Sequence, residues 1–294
     1  MRRLLLALPL VLVLAFAAAA CGGDDNGGSA EGTTTEAAAS CDKDSLQTVN
    51  AGELTIGTDN PAFPPWFEGK KAFDPWDPTT PPTKKGYEAE TAYAIAHELG
   101  FTDDEVKWTV VPFEQSFRPG QKSFDFDINQ VSYLPARAKN VDISDSYYDV
   151  EQALVAFESN PISNAKTVAD LKKFKLGAQI GTTSLNTIND TIEPDKEPSV
   201  YSTNNDALSG LKAKQVDGVV VDFPTALYMA AVQLNGGKVV GRFAADGEEY
   251  FGVVLAKGSP LTSCVNEALA RVKEAGTLDK LQQKWLGGSA PILK

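Results

Sequence analysis

The sequence predicts an α/β fold arranged as two lobes of similar build, on three observations. Short strand-like apolar runs alternate with amphipathic helical ones, the order that favours a sheet with crossover helices. The alternation starts again at Lys175, and "GQKSFDFDIN" and "KAKQVDGVVVD" resemble each other: a basic, turn-like approach, an Asp, then a strand. Finally, 294 residues that are 43% hydrophobic and 22% charged have the composition of a globular protein and suffice for one large domain or two lobes.

The elements follow in order. "ELTIGTD" (Glu53–Asp59) reads as a short strand ending in a turn signal. The Pro- and aromatic-rich loop after it, up to Lys85, has too much Pro for regular structure. A helix is predicted from Glu88 to Leu99, with Ala92, Ile95 and Leu99 on one face and Gly100 as its stop. "VKWTVVPF" and "FDFDINQVSY" read as strands. In the second pass, "FKLGAQIGTTS" is a strand running into a helix N-terminus, "DALSGLKAK" a helix and "VDGVVVD" a strand. The tail, "SPLTSCVNEALARVKEAGTLDKLQQKWLG", reads as a helix, a Gly-Thr turn and a shorter helix.

The N-terminus reads as a targeting signal: Arg2-Arg3, then an apolar run from Leu4 to Ala20 ending in small residues. Seventeen helical residues rise only about 25 Å, short of the roughly 30 Å of a bilayer core, so export is preferred to a membrane span. Small residues before Cys21 resemble a bacterial lipobox, in which that Cys is lipidated and anchors the protein to the outer face of the cell membrane. The following "GGDDNGGSAEGTTTEAAAS" has no large apolar residue and reads as a flexible tether. Cys41 and Cys264 remain; in an exported protein they are expected to form one disulfide, the alternative being two free thiols. That pairing would bring the tail beside Cys41, on the first lobe, with the chain crossing between lobes near "EQALVAF" and "YFGVVLA".

Several functions are disfavoured. Net charge is −12 without a Lys/Arg run, which argues against a nucleic-acid partner. The single histidine, His97, has no companion for a metal site or a His-dependent triad and is expected to be structural or solvated. No phosphate-loop or serine-hydrolase motif occurs, and no cofactor or metal is expected. What remains is a set of binding groups at strand ends. Ser132 and Arg137 follow "FDFDI", "GTT" (Gly181–Thr183) opens a helix suited to a carboxylate, and Asp222 ends "VVVD" at a sheet's carboxyl edge. Each also has a plain structural explanation: Ser132 as a turn residue, Thr183 and Asp222 as helix N-caps.

Taken together, "LTIGTDNPAFPPW", "GYEAETAYAIAHELG", "VSYLPARAKNVDISDSYYD", "LGAQIGTTS", "VDGVVVDFPTALY" and "AGTLDKLQQKW" resemble the extracellular solute-binding proteins of family 3, the amino-acid receptors of ABC importers. The resemblance runs from about Glu53 to Leu286. It implies a type II periplasmic-binding fold with the ligand cleft between lobes joined by two crossover strands. The domain reading is a signal peptide at 1–20, a lipidated Cys and tether at 21–50, one lobe from 51–153 plus 253–294, and the other from 154–252. It further implies that Arg137 takes a ligand α-carboxylate, that Ser132 and Thr183 add hydrogen bonds to it, and that Asp222 accepts from the α-ammonium. Phe63 and Phe113 fall where aromatic rings sandwich a ligand side chain, Asp59 where an acid often meets a polar or cationic one, and Gln179 among the ligand contacts. The chain leaves the family pattern at Leu134, Ala136, the Asn129-Gln130 pair and the longer loop from Glu68 to Lys85. Asn129 and Gln130 either reach the ligand or bond to neighbouring backbone. The partners implied are a polar amino acid and the permease subunits of an ABC transporter, with the protein a monomer and not an enzyme. The alternatives are a cyclohexadienyl-dehydratase-like enzyme on the same fold and an amino-acid-sensing receptor component.

Overall fold

The computed structural model describes residues 40–68, 83–244 and 249–293. The export segment, Cys21 and the tether up to Ala39 lie outside the described residues, as does most of the loop from Glu68 to Lys85. Among the described residues no helix is long and apolar enough to cross a membrane.

The strands are β1 (Leu54–Thr58), β2 (Val106–Val110), β3 (Phe126–Asp127), β4 (Val141–Ile143), β5 (Tyr148–Asp149), β6 (Gln152–Phe157) and β7 (Leu176–Gln179). They continue as β8 (Ser199–Tyr201), β9 (Gly218–Asp222), β10 (Gly237–Phe243), β11 (Tyr250–Phe251), β12 (Val254–Ala256) and β13 (Ile292–Leu293). The α-helices are α1 (Tyr87–Glu98), α2 (Phe113–Ser116), α3 (Pro135–Ala138), α4 (Thr183–Asn186), α5 (Asn204–Lys212), α6 (Phe223–Tyr228), α7 (Thr262–Glu274) and α8 (Thr277–Trp285).

These elements build two mixed sheets. The first has the order β2-β1-β3-β12-β4 and the second β13-β10-β6-β9-β7-β8. The chain passes from the first to the second through β5 and returns through β11, and these two crossings pair antiparallel, Tyr148 with Phe251 and Asp149 with Tyr250. In the second sheet both faces are buried: Leu154 and Ala156 of β6 enter one apolar cluster, Ala153 and Val155 another. That is why "ALVAF" and "GVVVD" read as continuous apolar runs instead of alternating ones. The first sheet buries Leu54 and Ile56 against a larger cluster containing Trp66, Tyr87 and Ile95.

Local chemistry explains the boundaries. Gly86, at φ +113, precedes α1 with its backbone so close to Trp66 that a Cβ would lie 2.3 Å from the Trp66 carbonyl oxygen. Only glycine fits that turn. Gly276, at φ +65, makes the turn between α7 and α8 where the sequence has its Gly-Thr signal. Cys41 and Cys264 are paired, with Cα atoms 5.3 Å apart, and the bridge holds the N-terminal segment on α7. The tail packs on α1 through an Arg271–Glu98 ion pair of 2.7 Å and the buried Leu278 and Leu281. Its end then goes elsewhere: β13 pairs parallel with β10, so the chain finishes on the second sheet, not the first.

The strand expected over "FDFDINQVSY" is much shorter. β3 ends at Asp127, the backbone turns at Gln130 (φ +48), and Ser132 makes only an isolated bridge to Phe251. A non-glycine residue in this left-handed region costs about 1–2 kcal/mol, so neighbouring bonds must hold it there.

Candidate functional site

Residues at the carboxyl ends of β1, β3, β7 and β9 meet on one cavity, where open α/β sheets present their binding groups. It is lined by Asp59, Phe63, Phe113, Asn129, Gln130, Ser132, Arg137, Gln179, Thr183 and Asp222, so the ten sequence-predicted residues come together. The cavity is narrow, ≈ 40 Å³.

Arg137 lies in the short helix α3 and is buried. Its Nη1 donates to the Ser132 carbonyl at 2.6 Å and its Nη2 to the Gly181 carbonyl at 2.7 Å. Its guanidinium sits over the Phe117 ring at 4.4 Å from the centroid and over Phe113 at 5.6 Å. Among the described residues no carboxylate lies within ion-pair distance of it. Burial lowers its pKa to about 10, an effect that the charge of Glu249 opposes. A guanidinium has five N–H donors, and two backbone carbonyls leave three.

Beside it runs a chain of polar side chains. Ser132 Oγ donates to Glu249 Oε1 at 2.8 Å and lies 3.2 Å from Thr183 Oγ1. Gln152 Nε2 donates to Thr183 Oγ1 at 3.2 Å and to Glu249 Oε1 at 3.1 Å, while Ser184 Oγ donates to Gln152 Oε1 at 2.7 Å. Because the one Ser132 proton goes to Glu249, Thr183 is the donor to Ser132. Thr183 does not cap α4; Thr182 does, its Oγ1 accepting from Leu185 N at 3.2 Å. The second threonine of "GTT" is therefore free to face the cavity because the first closes the helix.

Asp222 does cap α6, accepting from Thr225 N at 2.9 Å, and it also lines the cavity. Burial pushes its pKa up to about 6, with the backbone and side chain of Thr225 pulling the other way. Asp59 is likewise raised by burial, opposed by the backbone N–H groups of Asn60 and Phe113.

The Asn129-Gln130 pair divides. Gln130 donates from its backbone N (2.7 Å) and from Nε2 to the carboxylate of Glu88, which Tyr147 Oη also meets. These bonds hold the left-handed backbone at Gln130. Glu88 is fully buried and its pKa rises to about 7. Asn129 Nδ2 is buried beside the cavity without a hydrogen-bond partner among the described residues. Unpaired buried donors are rare and carry a desolvation cost.

Residues 54–288 match the profile of the bacterial extracellular solute-binding proteins, family 3. The chain belongs to that family. The L-cystine-binding protein TcyA of Bacillus subtilis (strain 168) is 30% identical to this family 3 chain over 242 residues, 80% of this chain and 82% of its own length. ABC transporter arginine-binding protein 1 of Escherichia coli (strain K12) is 28% identical over 207 residues, 68% and 81% of the two chains. An ancestral arginine-binding protein solved with arginine matches with a TM-score of 0.64 and 32% identity, over 80% of this chain and 99% of that one. An ancestral amino-acid-binding protein, described as a precursor of cyclohexadienyl dehydratase, matches with a TM-score of 0.65 and 28% identity, over 80% and 96%. The family 3 chain shares their two-lobed type II periplasmic-binding fold.

In this family 3 protein, Gln152, Ser184, Asn204 and Phe251 line the same cavity but escaped the sequence reading, and Thr182, read only as part of "GTT", lines it too. Gln152 carried a usable signal, since it is the polar residue heading the apolar run "QALVAF". Asn204 and Ser184 carried none, because polar residues in the first turn of a helix are ordinary. Glu249 lies in an acidic "DGEEY" that reads as solvated surface.

Proposed function

We propose that the protein captures a polar amino acid or a close derivative outside the cytoplasm and delivers it to the permease of an ABC importer, without catalysing a reaction. The observation that carries this reading is a pair of buried, opposite charges on one cavity: Arg137, which follows the first sheet's β3, and Asp222, which ends the second sheet's β9. A zwitterion leaving water needs both of its charges answered, and these two groups answer them from different lobes. A ligand held by both favours the closed arrangement, which is the differential affinity that a conformational switch requires.

In this reading Arg137, Ser132 and Thr183 hold the α-carboxylate and Asp222 holds the α-ammonium. Phe63 and Phe113 pack against the ligand side chain, and Asp59, Gln179 and Asn129 supply its polar contacts. Gln130 supports the site through Glu88 instead of touching the ligand side chain with its amide. The names of the relatives, which bind arginine or cystine, agree with a polar ligand. The acidic Asp59 and Asp222 against the single Arg137 suit a side chain that is neutral-polar or cationic.

The protein is further proposed to be a monomer anchored through lipid on Cys21, with Gly22–Ser40 as tether. Calorimetry with the twenty amino acids, cystine and other close derivatives tests the ligand class. Saturable binding of a polar amino acid, lost in Arg137→Ala, supports it; binding that survives Arg137→Ala unchanged rejects the carboxylate assignment. Mass spectrometry of the membrane-extracted protein tests the anchor, since an unmodified Cys21 would exclude it. The structural likeness to a precursor of cyclohexadienyl dehydratase points to the binding side, because that neighbour is itself described as an amino-acid-binding protein.

A further inference from the structure

Glu249 stands just before the return crossing β11, and its carbonyl accepts from Val150 N at 2.8 Å on the outgoing one. Its backbone is thus fixed where the two lobes are joined, while its side chain reaches back toward the cavity. There the polar chain described above ends on it: Ser132 Oγ at 2.8 Å and Gln152 Nε2 at 3.1 Å both donate to the same oxygen, Oε1. Thr183 stands behind both donors, 3.2 Å from each. Hydroxyl and amide donors converging on one oxygen next to a buried guanidinium form a carboxylate site, and the carboxylate in it belongs to the chain.

The surroundings allow that side chain to leave. Glu249 also lines an adjoining cavity of ≈ 300 Å³, whose walls include Asn186, Thr187 and Thr191. Gln152 and Thr183 border both cavities, and Glu249, on the wall of the larger one, accepts from Ser132 on the wall of the narrow one. The larger cavity gives the side chain room to release Ser132 and Gln152.

We infer that Glu249 is a tethered competitor for the carboxylate subsite: it holds Ser132 and Gln152 until a ligand carboxylate displaces it into the adjoining cavity. This rests on the amino-acid reading of the site. Two carboxylates cannot share Ser132, Thr183 and the field of Arg137 at close range without strong repulsion, so a ligand with an anionic end must expel the side chain. The competitor makes the binding-competent arrangement a fraction of the population, lowering apparent affinity by that fraction. A ligand without a carboxylate does not need to expel it.

The experiment is calorimetry of the full chain with Glu249→Ala and Glu249→Gln. Each is titrated with the amino acid that binds the wild type best and with the amine made by removing its carboxyl group. Thermal unfolding of each variant reports folding. Glu249→Ala is expected to tighten the amino acid about tenfold, with Glu249→Gln between it and the wild type, and neither variant is expected to gain affinity for the amine. Weaker or unchanged amino-acid binding in both variants, or an equal gain for amino acid and amine, overturns the competitor while leaving the proposed function standing. A folded wild type that binds none of the twenty amino acids, nor cystine or another close derivative, overturns that function and this inference with it.

Discussion

Arg137 directs two donors to the Ser132 and Gly181 carbonyls, which follow β3 of the first sheet and β7 of the second, and lies over the Phe117 ring. Arg137→Ala is expected to cost about 2–5 kcal/mol of ligand affinity by calorimetry, the scale for breaking a buried charge pair. Arg137→Lys should recover little of that, because an ammonium cannot serve two carbonyls and a carboxylate with a planar fork. Asp222 sets the pH dependence. Its folded pKa, about 6, lies above the ordinary 3.8, so between these values the folded protein holds a proton that the unfolded chain has released. Stability from this group is complete below about pH 4 and is lost as pH rises through 6. Binding has the opposite sign, since only the ionised carboxylate answers an ammonium. Affinity should rise through pH 6 to a plateau, and Asp222→Asn should abolish the rise; a pH-independent affinity in the wild type would contradict the assignment. Glu249, whose charge helps to raise Asp222, leaves the carboxylate subsite in the bound state by the inference above. Much of the site was legible because its residues sit at strand ends beside turn and cap signals. Glu249 was not, because its place depends on how the two crossings pair.

Among the elements, α1, α7 and α8 were readable from apolar periodicity and from Gly100 and Gly276, whose positive φ values end or turn the chain. β1, β7 and β9 were readable because they are short apolar runs that pack inside their sheets. β8 and β13 were not: they are three and two residues long and lie at the sheet edges, where little apolar surface is demanded. β10 was hidden by its mixed "GKVVGRF" and by an irregularity between Val239 and Gly241. β3 was overextended because tertiary bonds from Gln130 to Glu88, invisible locally, bend the chain after Asp127. The Cys41–Cys264 bridge ties residues separated by 223 positions. Replacing both by Ala should destabilise the protein by about 2–5 kcal/mol in denaturant unfolding while leaving ligand affinity within twofold of the wild type, roughly. Equal stability with and without the bridge would show that the N-terminal segment is held by packing alone.

For the whole molecule, the paired crossings β5 and β11 and the segment from α8 to β13 are the covalent links between the sheets, supplemented by side-chain contacts such as Trp66 Nε1 to Thr225 Oγ1 at 2.9 Å. Closure on a ligand should therefore act through the crossings, with β13 as an added restraint on the second sheet. Small-angle scattering should show a smaller radius of gyration with the amino acid than without it, and Trp66→Phe should diminish the closed population by removing one bond across the lobes. An unchanged radius would mean that recognition does not involve lobe motion. The central claim, that Arg137 and Asp222 together hold a zwitterion, is tested most directly by calorimetry at pH 7.5 with the best-binding amino acid and two analogues, one lacking the α-ammonium and one with the α-carboxylate amidated. The account predicts that both analogues bind much more weakly than the parent, and that Asp222→Asn removes the advantage of the parent over the first. An analogue without the ammonium that binds as tightly as the amino acid would contradict it.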